Sequence, residues 1–364
     1  MTPVRLLFVL TSPVRGGVEE VVLALLQRLD PGEFHLGLAA PRPLLDVFAP
    51  DLAGVRVDAE AVEPDTRSGF RRLSGFMRRF RPTVVNPHLF RTTAVAAPLA
   101  RWHGARVVET YHGREGWRSR FLADRLVVRL VDHVIAVSEA ARTFLVRGKG
   151  YPPARITVVP NGRDLSVFQP GSAREAARKE LGLDRTVPLV GVVGRLEPQK
   201  GHTYLLDAWP KVTREFPDAR LLLVGDGALR EPLRAQARAA GVAESVVFAG
   251  FRSDVPRILD ALDVLCLPSL YEGMPLTAIE AAAMGRPVVA TAVDGTPEVV
   301  RDRRTGRLVP PADPPALAQA LLDLLRDPEG ARRMGQAGRD WALLRFDLDR
   351  QVAATAHVYR RAAR

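Results

Sequence analysis

The chain has 364 residues, of which 47% are hydrophobic and 26% charged, a globular composition long enough for two domains at roughly 100–200 residues each. Its formal net charge of +11 comes from 52 basic against 41 acidic residues, and only Lys149, Lys179, Lys200 and Lys211 are lysines, so the excess is arginine and attracts polyanions. The single cysteine, Cys266, excludes an internal disulfide and a Cys-rich metal site, and no stretch approaches the roughly 18 apolar residues of a membrane span, so a soluble, cytoplasmic protein is expected.

Short apolar runs alternate with helical patterns along the whole chain. Residues 4–10 read as a buried strand, too short for a signal-peptide core, followed by a glycine-containing loop and an amphipathic helix over about 18–29. The strand signal returns at 34–40, 55–57, 83–86, 105–110 and 133–137. The rhythm breaks between Pro152 and Pro170, around the Asn161-Gly162 turn, and restarts with strands at 188–193, 219–224, 246–249, 263–267 and 287–291. Continuous apolar strands separated by helices specify parallel sheets covered on both faces, the doubly wound arrangement. Two Rossmann-like domains are therefore expected, 1–167 and 168–347, with helical segments from about 315 to the end. Ligands bind such sheets at the C-terminal ends of the strands, here in a cleft between the two domains.

The richest segment runs from Ser269 through Glu272, Gly273, Met274, Pro275, Leu276 and Glu280 to Gly285, between a strand and a helix. Pro275 suits the first helical turn, and the unpaired N–H groups around Gly273–Leu276 suit a phosphate. Gly273 lets a ligand approach the backbone. Glu280, a turn further in, can accept two ribose hydroxyls, and Glu272 lies where a sugar joined to the phosphate would sit. A second loop carries Gly194, Arg195, Lys200 and Gly201, whose two cations suit a pyrophosphate and the charge on a departing nucleotide diphosphate.

In the first domain Gly16 and Gly17 close the loop after the first strand, as a phosphate-facing turn or a plain tight turn. There is no G-x-G-x-x-G, so a nicotinamide fingerprint is not supported. His112 ends the strand at 105–110, while His88 and His103 have no motif around them. Asp347-Leu-Asp349 is the only D-x-D and reads better as helix capping than as a metal clamp, so a metal-free mechanism is preferred. Residues 67–81 form an Arg-rich amphipathic segment in which Phe70, Leu73, Met77 and Phe80 follow helical spacing. It is either a helix at an anionic membrane surface or an ordinary helix of the first domain. No nucleic-acid motif accompanies the charge.

Together these motifs resemble the retaining glycosyltransferases of family four, with the GT-B fold, nearly end to end. Glu272 and Glu280 match that family's E-x7-E pair, and Gly194-Arg195 with Lys200-Gly201 match its pyrophosphate loop. Val159-Pro160-Asn161-Gly162 and Val224-Gly225-Asp226-Gly227 are further landmarks, and Gly16-Gly17 and His112 fall where the family has a donor-phosphate loop and an active-site histidine. The resemblance implies transfer with retention from a UDP- or GDP-linked sugar, without a cofactor or divalent metal. The acceptor is a lipid-linked, polysaccharide or small-molecule hydroxyl, and peripheral contact with the cytoplasmic membrane face is left open. It also implies a last helix, 348–364, crossing back to the first, acceptor-binding domain, while the second binds the nucleotide sugar. Met274 stands where the family often has Phe. The competing readings are a sugar-nucleotide 2-epimerase, a glycan phosphorylase of the same fold, and a catalytically silent binding subunit.

Overall fold

The computed structural model describes residues 3–63, 66–113, 121–184 and 186–364. The loop 114–120, read from the sequence as an acceptor-selecting loop, lies outside the described residues. The chain divides into two compact units, one comprising Met1–Gly162 with Leu348–Arg364 and the other Arg163–Asp347.

The first unit is built on a parallel sheet of β1 (Val4–Val9), β2 (Phe34–Ala40), β3 (Val57–Ala61), β4 (Val84–Pro87), β5 (Arg106–Tyr111), β6 (His133–Ala136) and β7 (Ile156–Val158). Their order is β3-β2-β1-β4-β5-β6-β7. β1 is buried along most of its length because helices cover both faces, which is why it reads as an unbroken apolar run. β3 departs from the sequence reading, which placed a strand at 55–57. It is an edge strand, VDAEA, with Asp58 and Ala59 exposed and Glu60 paired with Arg79, so its apolar signal is weak and the paired residues start only at Val57. β7 has three residues and carries too little pattern to be seen in the sequence.

The Arg-rich segment forms the helix Arg67–Phe80, capped by the Thr66 hydroxyl accepting from Gly69 N–H. Its buried side is Leu73, Phe76, Met77 and Phe80, whereas Phe70 is exposed, so Phe76 takes the place that the sequence reading gave Phe70. Phe80 lies flat against the sheet where Gly37 leaves room; a Cβ at Gly37 would stand 2.9 Å from the ring. The C-terminal helix Leu348–Ala362 packs on the same unit. Tyr359 is fully buried, edge-on to Phe8 and Phe34, and the Gln351 side chain accepts from Gly162 N–H at 2.8 Å.

The second unit is a parallel sheet of β8 (Leu189–Val193), β9 (Arg220–Val224), β10 (Val246–Gly250), β11 (Val264–Leu267), β12 (Val288–Thr291) and β13 (Gly306–Val309), ordered β10-β9-β8-β11-β12-β13. Residues 163–167 lie with this unit, because Arg163 pairs with Glu280 and its N–H donates to the Phe346 carbonyl. One contact positions the Glu280 helix, Leu276–Ala283. The long helix Pro328–Arg345 closes on its end so tightly that a Cβ at Gly335 would sit 2.1 Å from the Gly285 carbonyl oxygen.

That approach makes Gly335→Ala destabilising, by about 1–3 kcal/mol, as an overpacked contact against backbone. Gly338→Ala on the same helix, whose nearest neighbour is 3.4 Å away, should be close to neutral. Thermal unfolding of the two variants checks this; equal melting temperatures would contradict it.

Candidate functional site

In the second sheet β8 and β11 are neighbours, with Val190 level with Val264, yet the chain leaves them in opposite directions, to β9 and to β12. The loops after these strands, 194–201 and 268–275, therefore meet at the point where the strand order reverses. They meet closely. Gly201 has φ +64, and a Cβ there would stand 1.9 Å from the Pro268 carbonyl oxygen, so only glycine permits the approach. Gln199 then stitches the loops: its carbonyl accepts from Leu270 N–H at 2.8 Å and its amide donates to the Tyr271 carbonyl at 3.0 Å.

This stitching brings Lys200 to Glu272. The ammonium donates to Glu272 Oε1 at 2.6 Å, and the Ser269 hydroxyl donates to the same oxygen at 2.7 Å. Glu272 is 6% exposed, and a buried carboxylate without partners would be costly; these two donors and its backbone bond to Asp294 fix it in one position. Neither side-chain bond uses Oε2. The Lys200 stem runs over Gly194, its Cε 3.6 Å from where a Cβ would be, an ordinary van der Waals separation. Arg195 stands apart from this cluster, half-exposed and paired with Glu197 at 3.0 Å.

Pro275 is the residue that caps the helix Leu276–Ala283, one position earlier than the sequence reading had it, and Met274 beside it is buried. Glu280 is buried on that helix, with Arg163 Nε 2.7 Å from its Oε1. The next residue after the Lys200–Gly201 turn, His202, is 1% exposed, and neither ring nitrogen has a hydrogen-bond partner. Burial, helped by the nearby Lys200 charge, lowers its pKa to about 4.

In the first sheet the corresponding reversal lies between β1 and β4. Gly16 precedes the helix Gly17–Arg28 in an extended conformation open to any residue, and its carbonyl accepts from Glu20 N–H. His112, just past β5, meets His88, just past β4, with Nε2 and Nδ1 2.8 Å apart and the rings stacked. Burial lowers the pKa of His112 to about 3 and that of His88 well below the ordinary value, so both are neutral at physiological pH. Leu89, which follows His88, has φ +73 and ψ 148, a strained conformation for a branched residue that the surrounding structure must enforce. His103 instead bonds Ser74, and Asp349 pairs with Arg28 on an exposed face. Among the described residues, no three His, Cys, Asp or Glu side chains are placed to share a metal ion.

Sequence reasoning missed Ser269, Gln199, Arg163, Asn86 and Tyr359, and undervalued His88. Ser269 lies three residues before Glu272, inside the segment singled out, and Arg163 follows the Asn161-Gly162 turn, so both carried a positional signal. Asn86 and Tyr359 are brought together across 273 residues and carried none.

Two family models match the chain, Glycosyltransferase Family 4 over residues 15–167 and Glycosyl transferases group 1 over residues 187–327. The GDP-mannose-dependent alpha-(1-6)-phosphatidylinositol monomannoside mannosyltransferase of Mycolicibacterium smegmatis is 35% identical, covering 91% of each chain. The glycogen synthase of Mycobacterium tuberculosis is 32% identical over 97% of this chain and 84% of its own. Among solved structures, Anabaena HepE in complex with UDP and glucose superposes with a TM-score of 0.85 at 21% identity, covering 98% of this chain and 99% of that one. Sucrose-phosphate synthase from Thermosynechococcus elongatus gives 0.84 at 24% identity, covering 98% of each. Both likenesses establish the fold.

The buried His202 makes stability pH-dependent with a definite sign. Its pKa is about 4 folded against an ordinary 6.5, so between those values the unfolded chain takes up a proton that the native chain does not. The stabilisation is full above pH 6.5 and declines as pH falls towards 4, by up to about 1.4 kcal/mol per pH unit. Denaturant titrations from pH 7.5 to 5 should show a shallower decline in His202→Leu; an unchanged slope would contradict the assignment.

Proposed function

The chain belongs to glycosyltransferase family 4, a retaining glycosyltransferase of GT-B fold that takes a sugar from a nucleotide-diphosphate sugar, and on that premise we propose that the Lys200–Glu272–Ser269 cluster is the core of its donor site. The 2-epimerase, phosphorylase and silent-subunit readings give way to transfer.

The cluster carries the proposal because it fixes one cation and one carboxylate at the strand-order reversal of the second sheet, where ligands bind in such sheets. Lys200 has three N–H donors, and one is spent on Glu272. The others serve the diphosphate together with Arg195, whose half-exposed fork can leave Glu197 for a phosphate. Both cations offset the charge that accumulates on the departing nucleoside diphosphate. Gly273, Met274, Pro275 and Leu276 form the approach to the helix start, where the N–H groups of Leu276 and its successor have no partner within the helix. Pro275 itself donates nothing, and its role is to set the turn.

Glu280, held by Arg163, takes the ribose hydroxyls, and Glu272 takes a hydroxyl of the transferred sugar through Oε2. In the first unit Gly16 and Gly17 are assigned to the donor phosphates and His112 to the reacting sugar, as the family pattern has them. The neutrality of His112 fits a hydrogen-bonding role. No divalent metal is invoked, since the two cations supply the compensating charge.

For the donor we favour a GDP-linked hexose, because the relative that matches 91% of the chain at 35% identity is GDP-mannose-dependent. That relative acts on phosphatidylinositol monomannoside, and a lipid-linked acceptor suits the exposed Arg71, Arg72 and Arg78 of the helix Arg67–Phe80, a surface fitted to anionic headgroups. Among the described residues no helix is long and apolar enough to cross a membrane, so any attachment through this helix is peripheral.

Lys200→Ala and Glu280→Ala should each reduce transfer by about a hundredfold or more with the circular dichroism spectrum unchanged. Near-normal turnover in either would overturn the site. In a thermal-shift comparison GDP-mannose should stabilise the protein more than UDP-glucose or ADP-glucose at equal concentration; a larger shift with either of the others would overturn the GDP reading. Arg71→Glu with Arg78→Glu should abolish co-sedimentation with phosphatidylserine vesicles, and equal binding to neutral vesicles would contradict an electrostatic contact.

A further inference from the structure

A line of buried hydrogen bonds in the first unit has its direction set by one main-chain carbonyl. The Asn86 side chain directs one atom at the Val108 carbonyl oxygen, which can only accept, so that atom is the amide NH2; it also lies 3.0 Å from Thr110 Oγ1. The other atom, Oδ1, is therefore an acceptor. It faces the Tyr359 hydroxyl at 2.7 Å and His88 Nε2 at 2.8 Å, and both must donate to it. With its proton on Nε2 and its ring neutral, His88 presents a lone pair at Nδ1. His112 Nε2 lies 2.8 Å from that lone pair and must be the protonated nitrogen.

We propose that Asn86 and His88 are positioning residues that hold His112 as its Nε2–H tautomer and so leave His112 Nδ1 as a hydrogen-bond acceptor for a hydroxyl of the reacting sugar. The proposal rests on the reading of His112 as an active-site residue. Each member has its orientation fixed by its surroundings. Asn86 and Tyr359 are fully buried and His88 is 1% exposed. His88 sits against Phe8 on one side and is stacked on His112, and the strained backbone of Leu89 pins the turn that carries it. Burial of both rings disfavours the imidazolium that would reverse the line of donors. Tyr359 makes the C-terminal helix a member of the line, through a bond that sequence distance hides.

A tautomer held in this way is worth rate as well as stability, because a ring with its proton on the wrong nitrogen offers a donor where an acceptor is needed. Among the described residues the Asn86 and His88 side chains hydrogen-bond one another, Val108, Thr110, Tyr359 and His112, so their effect on the reaction passes through His112.

The direct test is the imidazole 15N spectrum of the full-length protein at pH 7.5, with the His112 signals assigned by their loss in His112→Gln. A protonated Nε2 and an unprotonated Nδ1 are expected; a protonated Nδ1 or rapid averaging of the two nitrogens would overturn the proposal. In kinetics, His88→Leu should lower kcat by roughly tenfold or more with little change in KM. His88→Asn, which puts an amide oxygen near the former Nδ1, should recover most of that loss, and equal activity of the two variants would count against positioning. If His88→Leu does not fold, the wild-type spectrum alone decides. Full turnover in His112→Ala would remove the histidine from the reaction, an outcome the spectrum does not share, so the two failures are distinguishable.

Discussion

The contact on which the second unit's chemistry depends is the approach of Gly201 to the Pro268 carbonyl. The loops after β8 and β11 are neighbours by topology, but topology alone leaves their side chains free to point anywhere. The glycine removes the Cβ that would hold the loops apart, Gln199 adds two hydrogen bonds between them, and Lys200 is then delivered to Glu272 at 2.6 Å. Ser269 shares the same carboxylate oxygen, so the pair is a defined geometry and not a loose surface salt bridge. A buried ion pair of this kind adds little net stability but keeps its charges fixed, and a fixed array of charge is what stabilises a leaving diphosphate.

The first unit solves a different problem with different groups. Its reversal point is lined by neutral, hydrogen-bonded rings whose burial holds them uncharged. At these two points the unit that we assign to the anionic donor presents a fixed cation and carboxylate, Lys200 and Glu272, while the unit assigned to the acceptor presents hydrogen-bond direction. Orientation there depends on a chain of donors that ends at a main-chain carbonyl, and on a tyrosine supplied by the last helix.

Much of this was legible in the sequence. The central strands β1, β2, β8, β9 and β11 are buried on both faces, so their unbroken apolar runs announced them, whereas β3, β7 and β13 are short or at an edge and carry little pattern. The segment from Ser269 to Glu280 was readable because turn chemistry, a helix start and two carboxylates coincide within a dozen residues. The partners of those carboxylates were harder. Lys200 was expected to serve a pyrophosphate, but nothing in the spacing reveals its bond to Glu272, 72 residues away. Phe70 and Phe76 show a related limit: helical spacing places both near the apolar side, and only packing on the sheet decides which is buried. The line from Asn86 to His112 depends on side-chain directions at the ends of adjacent strands, which no linear pattern encodes.

If Lys200 and Glu272 hold the donor as one unit, their effects on donor binding must be coupled. A double-mutant cycle with Lys200→Ala, Glu272→Gln and the double variant, read by calorimetric titration with GDP-mannose, measures that coupling directly. The expected coupling energy is about 1 kcal/mol or more, as for residues in one ion-pair network. Strictly additive losses, or donor affinity unchanged in either single variant, would contradict the assignment of this cluster to the donor.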